Sequence, residues 1–509
     1  MALQHGIRLK RTSARAGQPA GEPRDHVEWT SSLDDEGGCA HREIVYNMLS
    51  ECVSCHGVWQ ARVVEGASSV KYSYLRWLGV LSLAVLLFAT GCGTQSSGAN
   101  SSTSKSVTVT LWSWTPVSTT TQKIVAAIEK KYPNIHINAT IEPHPAYNTA
   151  LKAAAASNSL PDIIGLPAGS QTQEYRSQLQ PLNSIAQQFW GANWQSNFPK
   201  AAIFQAQLGN PSGDTNFYML PQETEVLTVW YNKTIFNKLH LSVPQTMNEL
   251  ISDAQKITSA GYIPFYQGAA QTNFDTWMFM QLAAQTDMQA LQQADIGKAT
   301  WTDPGMIQAA QAWKTLFTKQ VFEPGALGNT QYPTGANLFA AGRVGMILLG
   351  SWWLQETQLP NVPNGLKTMS DYGMFSFPAI APGGQPTPVL GGVDFGWGLT
   401  KNANTSPAVE QASKTVLKEL ISGVGEQISL NDFNDLPAFQ GFNPTVQPSP
   451  EVLNLYHEFI QQLQTAQNHL IGNPTIEQAL DSNLQAIGAG TETPEQAMQK
   501  VQAVAQAQS

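Results

Sequence analysis

The chain has 509 residues, of which 42% are hydrophobic and only 13% charged, and its net charge is −9. All the excess acid lies after residue 91, because residues 1–91 carry nine basic and nine acidic side chains. A mildly acidic chain of this kind has no electrostatic footprint for nucleic acid and no polybasic patch for a membrane surface.

Residues 1–69 have no hydrophobic periodicity long enough for a domain. They do contain Cys52-Val53-Ser54-Cys55-His56, the spacing used for covalent haem attachment. No cytochrome-like sequence surrounds that motif, and it precedes an export signal, so neither haem nor zinc is expected and no cofactor is assigned. Trp77 to Thr90 is an apolar run, roughly two-thirds of the length a bilayer span needs. Lys71 and Arg76 precede it, small residues Ala89, Thr90 and Gly91 close it, and Cys92 comes next. This segment resembles a bacterial lipoprotein signal peptide with Cys92 as the lipidated first mature residue. Such a signal starts near the initiation codon. Residues 1–69 are therefore expected to be a mis-assigned extension, with Val70 as a GTG start and 70–91 as the signal.

All four cysteines lie at or before residue 92, so the mature chain has no disulfide and no cysteine-based metal site. Residues 92–106 are mostly Gly, Ser, Thr, Asn and Gln, the composition of a flexible tether. The rest of the chain, from residue 107 onward, is too long for one typical core and predicts two lobes.

Val107 to Trp112 alternates like a half-buried strand, and Thr119 to Lys131 has a helical apolar stripe at Ile124, Val125 and Ile128. Ile135 to Ala139 alternates again, Tyr147 to Asn158 is Ala-rich and helical, and Pro161 to Leu166 is a buried strand. Strands and helices at this spacing predict an α/β arrangement with a parallel sheet. Ligands bind at the carboxyl ends of such strands, which puts the loops near Trp114 and Gly169 on the working edge.

The motifs further along become specific. Leu111-Trp112-Ser113-Trp114 is followed by Lys130-Lys131-Tyr132-Pro133-Asn134-Ile135 and by Leu160-Pro161-Asp162-Ile163-Ile164. Leu220-Pro221-Gln222-Glu223-Thr224-Glu225 runs on to Trp230-Tyr231-Asn232-Lys233. Then come Pro244-Gln245-Thr246-Met247-Asn248-Glu249-Leu250, Phe339 to Met346, Gly350-Ser351-Trp352, Gly391-Gly392 and Pro437-Ala438. In this order they resemble the family 1 extracellular solute-binding proteins, the sugar-capturing subunits of ABC importers. Met247 and Gly345 depart from the family pattern, at scaffold positions.

The resemblance implies a two-lobed periplasmic-binding-protein fold with a hinge and an interlobe ligand cleft. The expected lobes are 107–222 with 371–425, and 223–370 with 426–509. It also implies hinge closure, delivery to an ABC permease and no catalysis. The chain is expected to work as a monomer held to the cell membrane by its lipid.

A sugar needs flat aromatic surfaces for its C–H faces and planar polar groups for its hydroxyl rim. The ligand-binding candidates are Trp114, Gln171, Glu223, Glu225, Gln267, Trp277, Trp352, Asp394 and Trp397. Trp352 stands at the family's ligand-stacking position and Glu225 at a carboxylate of its crossover segment. Trp112, Trp230 and Trp353 are expected in packing roles. Two alternatives stay open. One is the same fold holding a polyol phosphate or a polyamine; the other is a lipoprotein glycoside hydrolase. The second needs two carboxylates flanking a bond, whereas Glu223 and Glu225 alternate onto one strand face.

Overall fold

The computed structural model describes residues 106–356, 369–433, 435–446 and 448–508. The proposed extension, the signal, Cys92 and all but the last residue of the tether lie outside the described residues. Gly98–Ser509 forms one compact unit.

Its centre is a sheet of β1 (Val107–Ser113), β2 (Ile135–Ile141), β3 (Ile163–Leu166), β4 (Leu220–Asn232), β5 (Ile263–Tyr266), β6 (Val344–Gly350), β7 (Tyr372–Phe375), β8 (Leu390–Leu399) and β9 (Leu436–Pro437). The main order is β2-β1-β3-β8-β4-β6-β5, with β7 and β9 also paired to β4. β1 runs parallel to both β2 and β3, as expected for strands joined through helices. Those helices are Ser118–Lys131 and His144–Ala156. The first buries Ile124 and Ile128 and the second Tyr147 and Leu151, so each covers the sheet with an apolar stripe. β3 and β6 are buried along their whole length, which explains their unbroken apolar runs.

Two separate hydrophobic cores form. Val109, Leu111, Ile163, Leu220, Phe395 and Trp397 belong to the first; Val226, Trp230, Phe279, Phe339, Ile347 and Trp353 belong to the second. These are the two lobes. β4 starts in the first core at Leu220 and ends in the second beyond Val226, so one strand carries the chain across. β8 returns antiparallel beside it, with Leu390 in the second core and Val393 in the first. The lobe boundary therefore falls inside β8. Tyr372 and Phe377, placed with the first lobe by sequence, pack in the second core because β7 pairs with the far end of β4.

The segment from Pro244 to Leu250 is a helix start. The Thr246 hydroxyl accepts from the Glu249 backbone while Glu249 accepts from the Thr246 backbone, a reciprocal cap. Met247, where the family pattern has another residue, is buried in the second core.

The crossing strands hold the feature that shapes the site. Pro221 pairs with Gly396 and Glu223 with Phe395, but Thr224 pairs with Val393 and Glu225 with Gly392. Gln222 is thus one residue extra on β4, and Asp394 is one residue extra on β8. Each is a bulge, which turns its side chain out of the regular alternation. Beyond the bulges the strands approach closely at Gly391, where a Cβ would lie 2.3 Å from the Glu225 carbonyl oxygen. Gln205 ties this stretch down: its Nε2 donates to Gly391 O at 3.1 Å and its Oε1 accepts from Val393 N at 2.5 Å.

Candidate functional site

Between the two cores lies a cavity of about 230 Å³. The first lobe contributes Trp114, Thr115, Val117, Pro143, His144 and Pro167 to its lining. The second contributes Gln271, Asn273, Phe274, Trp277, Tyr332, Pro333, Trp352 and Gln355. The crossing strands supply Glu225, Val393 and Asp394. Among the described residues no lysine or arginine lines it. The position follows from the sheet: Trp114 comes just after the carboxyl end of β1, and Pro167 just after that of β3.

One wall is Trp114, held edge-on by His144 and Phe395, each with its ring centroid 4.9 Å away. The facing wall is a set of rings. Trp277 is 5.1 Å from Phe274 and 6.0 Å from Trp352, and Trp352 Nε1 donates to the Tyr332 hydroxyl at 2.6 Å. Trp352 folds back over Gly350, where any Cβ would fall 1.9 Å from the indole, so this glycine is what lets the ring lie there. The two walls belong to different lobes, so hinge motion changes the gap between them.

The floor is acidic. Glu225 is fully buried. Its Oε1 lies 2.7 Å from His469 Nε2 but outside hydrogen-bond geometry, and its Oε2 has no hydrogen-bond partner among the described residues. Burial pushes the Glu225 carboxyl well above the usual carboxylate range. Asp394 is raised well above that range too, first by burial and then by the nearby Glu225 and Glu223 charges. Behind them, Asp435 accepts from the Ser351 hydroxyl at 2.5 Å and from the Leu436 backbone at 2.8 Å. Burial raises Asp435 as well, with Asp394 adding to the effect. His469, also fully buried, is lowered to about 4 by the same loss of water. Among the described residues no group of three His, Cys, Asp or Glu side chains is placed to hold a metal ion.

The structure thus gathers Trp114, Glu225, Trp277, Trp352 and Asp394 around one cavity. It places the other four sequence candidates elsewhere. Trp397 lies in the first core with its Nε1 bonded to Gln222 Oε1. Gln267 is turned inward, donating to Phe274 O at 3.0 Å and to Asp275 Oδ1 at 3.2 Å. Glu223 is buried on the hinge, where its Oε1 accepts from Ser429 Oγ at 2.6 Å. Gln171 sits outside the lining and bridges the lobes, donating from Nε2 to Asn273 Oδ1 at 3.1 Å. Its neighbour Ser170 makes a second bridge, to Glu477. Trp230 and Trp353 are buried in the second core, in the packing roles expected.

His144, Tyr332 and Gln355 also line the cavity, and sequence reasoning did not name them. His144 begins the helix that follows β2, one loop from Trp114, so the working-edge rule points to it. Gln355 follows Trp352 by one short turn, its backbone N–H donating to Trp352 O at 2.9 Å, and its buried Nε2 has no hydrogen-bond partner among the described residues. Tyr332 had no local signal.

Among the described residues no helix is long and apolar enough to cross a membrane. Comparison with known proteins agrees with this architecture. Residues 112–419 match the family described as bacterial extracellular solute-binding protein. The chain is 21% identical over 321 residues to the galactooligosaccharide-binding protein of Bacillus subtilis, a match spanning 58% of this chain and 70% of that protein. It is 23% identical over 202 residues to the melibiose/raffinose/stachyose-binding protein of the same organism, over 39% of this chain and 43% of the relative. The maltose/maltodextrin-binding domain of Bdellovibrio bacteriovorus, solved with maltotriose, superposes with a TM-score of 0.62 at 19% identity, covering 79% of this chain and 99% of that one. With the family matched across both lobes and the hinge between them, this chain belongs to the bacterial extracellular solute-binding proteins.

Proposed function

We propose that this protein captures a sugar or oligosaccharide outside the cytoplasmic membrane and delivers it to the permease of an ABC importer. The observation that carries this reading is the cavity itself, with an indole from one lobe facing two indoles from the other above a floor of carboxylates. Sugar C–H faces stack on such walls, and hydroxyls donate to carboxylates and accept from amides such as that of Gln355. Its relatives include binding proteins for galactooligosaccharides and for melibiose, raffinose and stachyose, which supports the same solute class. The family consists of binders. On this reading the chain is non-catalytic, because the floor carboxyls cluster on one side of the cavity instead of flanking a bond, and it is proposed to work as a monomer.

A broad thermal-shift screen of mono- and oligosaccharides tests the function. At least one binds with micromolar affinity or better and changes tryptophan fluorescence as the walls close. No carbohydrate hit across the screen would remove the reading. Cys92 is proposed as the lipid anchor. In a bacterial host, Cys92→Ser is expected to move the protein from the membrane fraction to the soluble fraction; unchanged membrane association counts against lipidation.

A further inference from the structure

The cavity floor gathers buried acids with no fixed cation among the described lining residues. Glu225 and Asp394 line it, Glu223 and Asp435 stand close behind, and among the described residues no lysine or arginine lines it. Glu223 and Asp435 have hydroxyl donors of their own in Ser429 and Ser351. Glu225 does not: it is fully buried, faces the cavity, and its Oε2 is without a hydrogen-bond partner among the described residues. The basic group beside Glu225 is His469, with Nε2 2.7 Å from Oε1. Its ring is packed at 5.6 Å against Trp277 and is fully buried, so it stays uncharged at neutral pH.

We propose that the preferred solute is an amino sugar whose protonated amine is held by Glu225 and Asp394 between the Trp114 wall and the Trp277–Trp352 wall. This rests on the sugar-binding reading and narrows it. An ammonium group supplies what the floor lacks, a cation with several N–H donors. Hydroxyls also bond to these carboxyls, but they bring no charge against which the buried acids can ionise. The surrounding indole faces attract a cation further. The paired bulges fit this assignment. They aim Asp394 at the same floor as Glu225, although its strand position alone gives no reason for a second buried acid there.

The test compares amino sugars with counterparts that carry a hydroxyl in place of the amine, below the pKa of the amine. Glucosamine is paired with glucose, galactosamine with galactose, and chitosan oligomers with cello-oligosaccharides of equal length. Calorimetry in buffers of different ionisation enthalpy gives affinity and protons exchanged. At least one amine is expected to bind about tenfold or more tighter than its hydroxyl counterpart. It should also release protons, because the floor acids ionise when a cation arrives. Asp394→Asn and Glu225→Gln should each erase most of that preference. They should also reduce proton release while changing the binding of the hydroxyl counterpart less. Circular dichroism confirms that each variant is folded.

Equal or tighter binding of every hydroxyl counterpart, with no proton exchange, overturns the proposal and makes His469 the internal counter-charge to Glu225. In that outcome the sugar-binding function stands. If neither these pairs nor any sugar in the broad screen binds, the function falls, and the amine with it.

Discussion

Trp352→Ala weakens binding of the captured sugar about 30- to 1000-fold and leaves the fold intact. The indole lines the cavity, is only partly buried, and makes one polar bond, to the Tyr332 hydroxyl. Removing a stacking aromatic from the centre of a binding site costs about 2–4 kcal/mol, and each 1.4 kcal/mol is about tenfold in affinity. The neighbouring residue is the control. Trp353 is 1% exposed and packs against Phe339 and Tyr372 at ring distances of 5.4 and 5.8 Å. Trp353→Ala should lose about 3–5 kcal/mol of stability through the cavity it leaves. Titration by calorimetry and melting by circular dichroism separate the two effects. Undiminished affinity in Trp352→Ala would show that the sugar does not stack there.

Stability should fall as pH rises from about 6.5 to 8. Glu323 and Glu477 are each raised to about 7, and Asp295 to about 6, chiefly by burial. Glu225, Asp275, Asp394, Glu426 and Asp435 are raised well above the carboxylate range for the same reason. A raised carboxyl keeps its proton in the fold and loses it in the unfolded chain. The fold therefore binds more protons, and its advantage is full at low pH and is lost as pH climbs through the folded pKa. Each acid neutral in the fold and ionised when unfolded contributes a slope of about 1.4 kcal/mol per pH unit. His144 and His469, both lowered to about 4, act in the opposite sense only up to the pKa of an unfolded histidine. Above that point the acids act alone. The melting temperature measured across this window should decline steadily, and Glu323→Gln and Glu477→Gln should each flatten the decline. A melting temperature that is level or rising from pH 6.5 to 8 contradicts the burial of these acids.

The sequence was most legible where local pattern decides structure. Alternation in Val107–Trp112 and the apolar stripe at Ile124 and Ile128 correspond to β1 and the first helix. The Thr246–Glu249 spacing corresponds to a capped helix start. Trp114 was readable because it follows the carboxyl end of a predicted strand. Trp397 was misplaced for a physical reason. It lies three residues from Asp394 on the same strand, and only the bulge decides which of the two faces the cavity. Gln267 follows a strand of four residues, and its burial depends on Asp275 in a later helix. The expected end of the second lobe missed β7 because pairing between distant strands leaves no local trace.

The matched bulges also set how this cleft can change over generations. Gln222 and Asp394 are each the extra residue of a bulge, so losing either codon leaves every flanking pair of β4 and β8 with its own partner. Both flanks of the sheet then keep their buried faces. Loss of Asp394, or its replacement by a neutral residue, removes the floor aspartate without re-threading the crossing strands. The acidic floor is therefore a feature that a lineage can gain or shed in a single step.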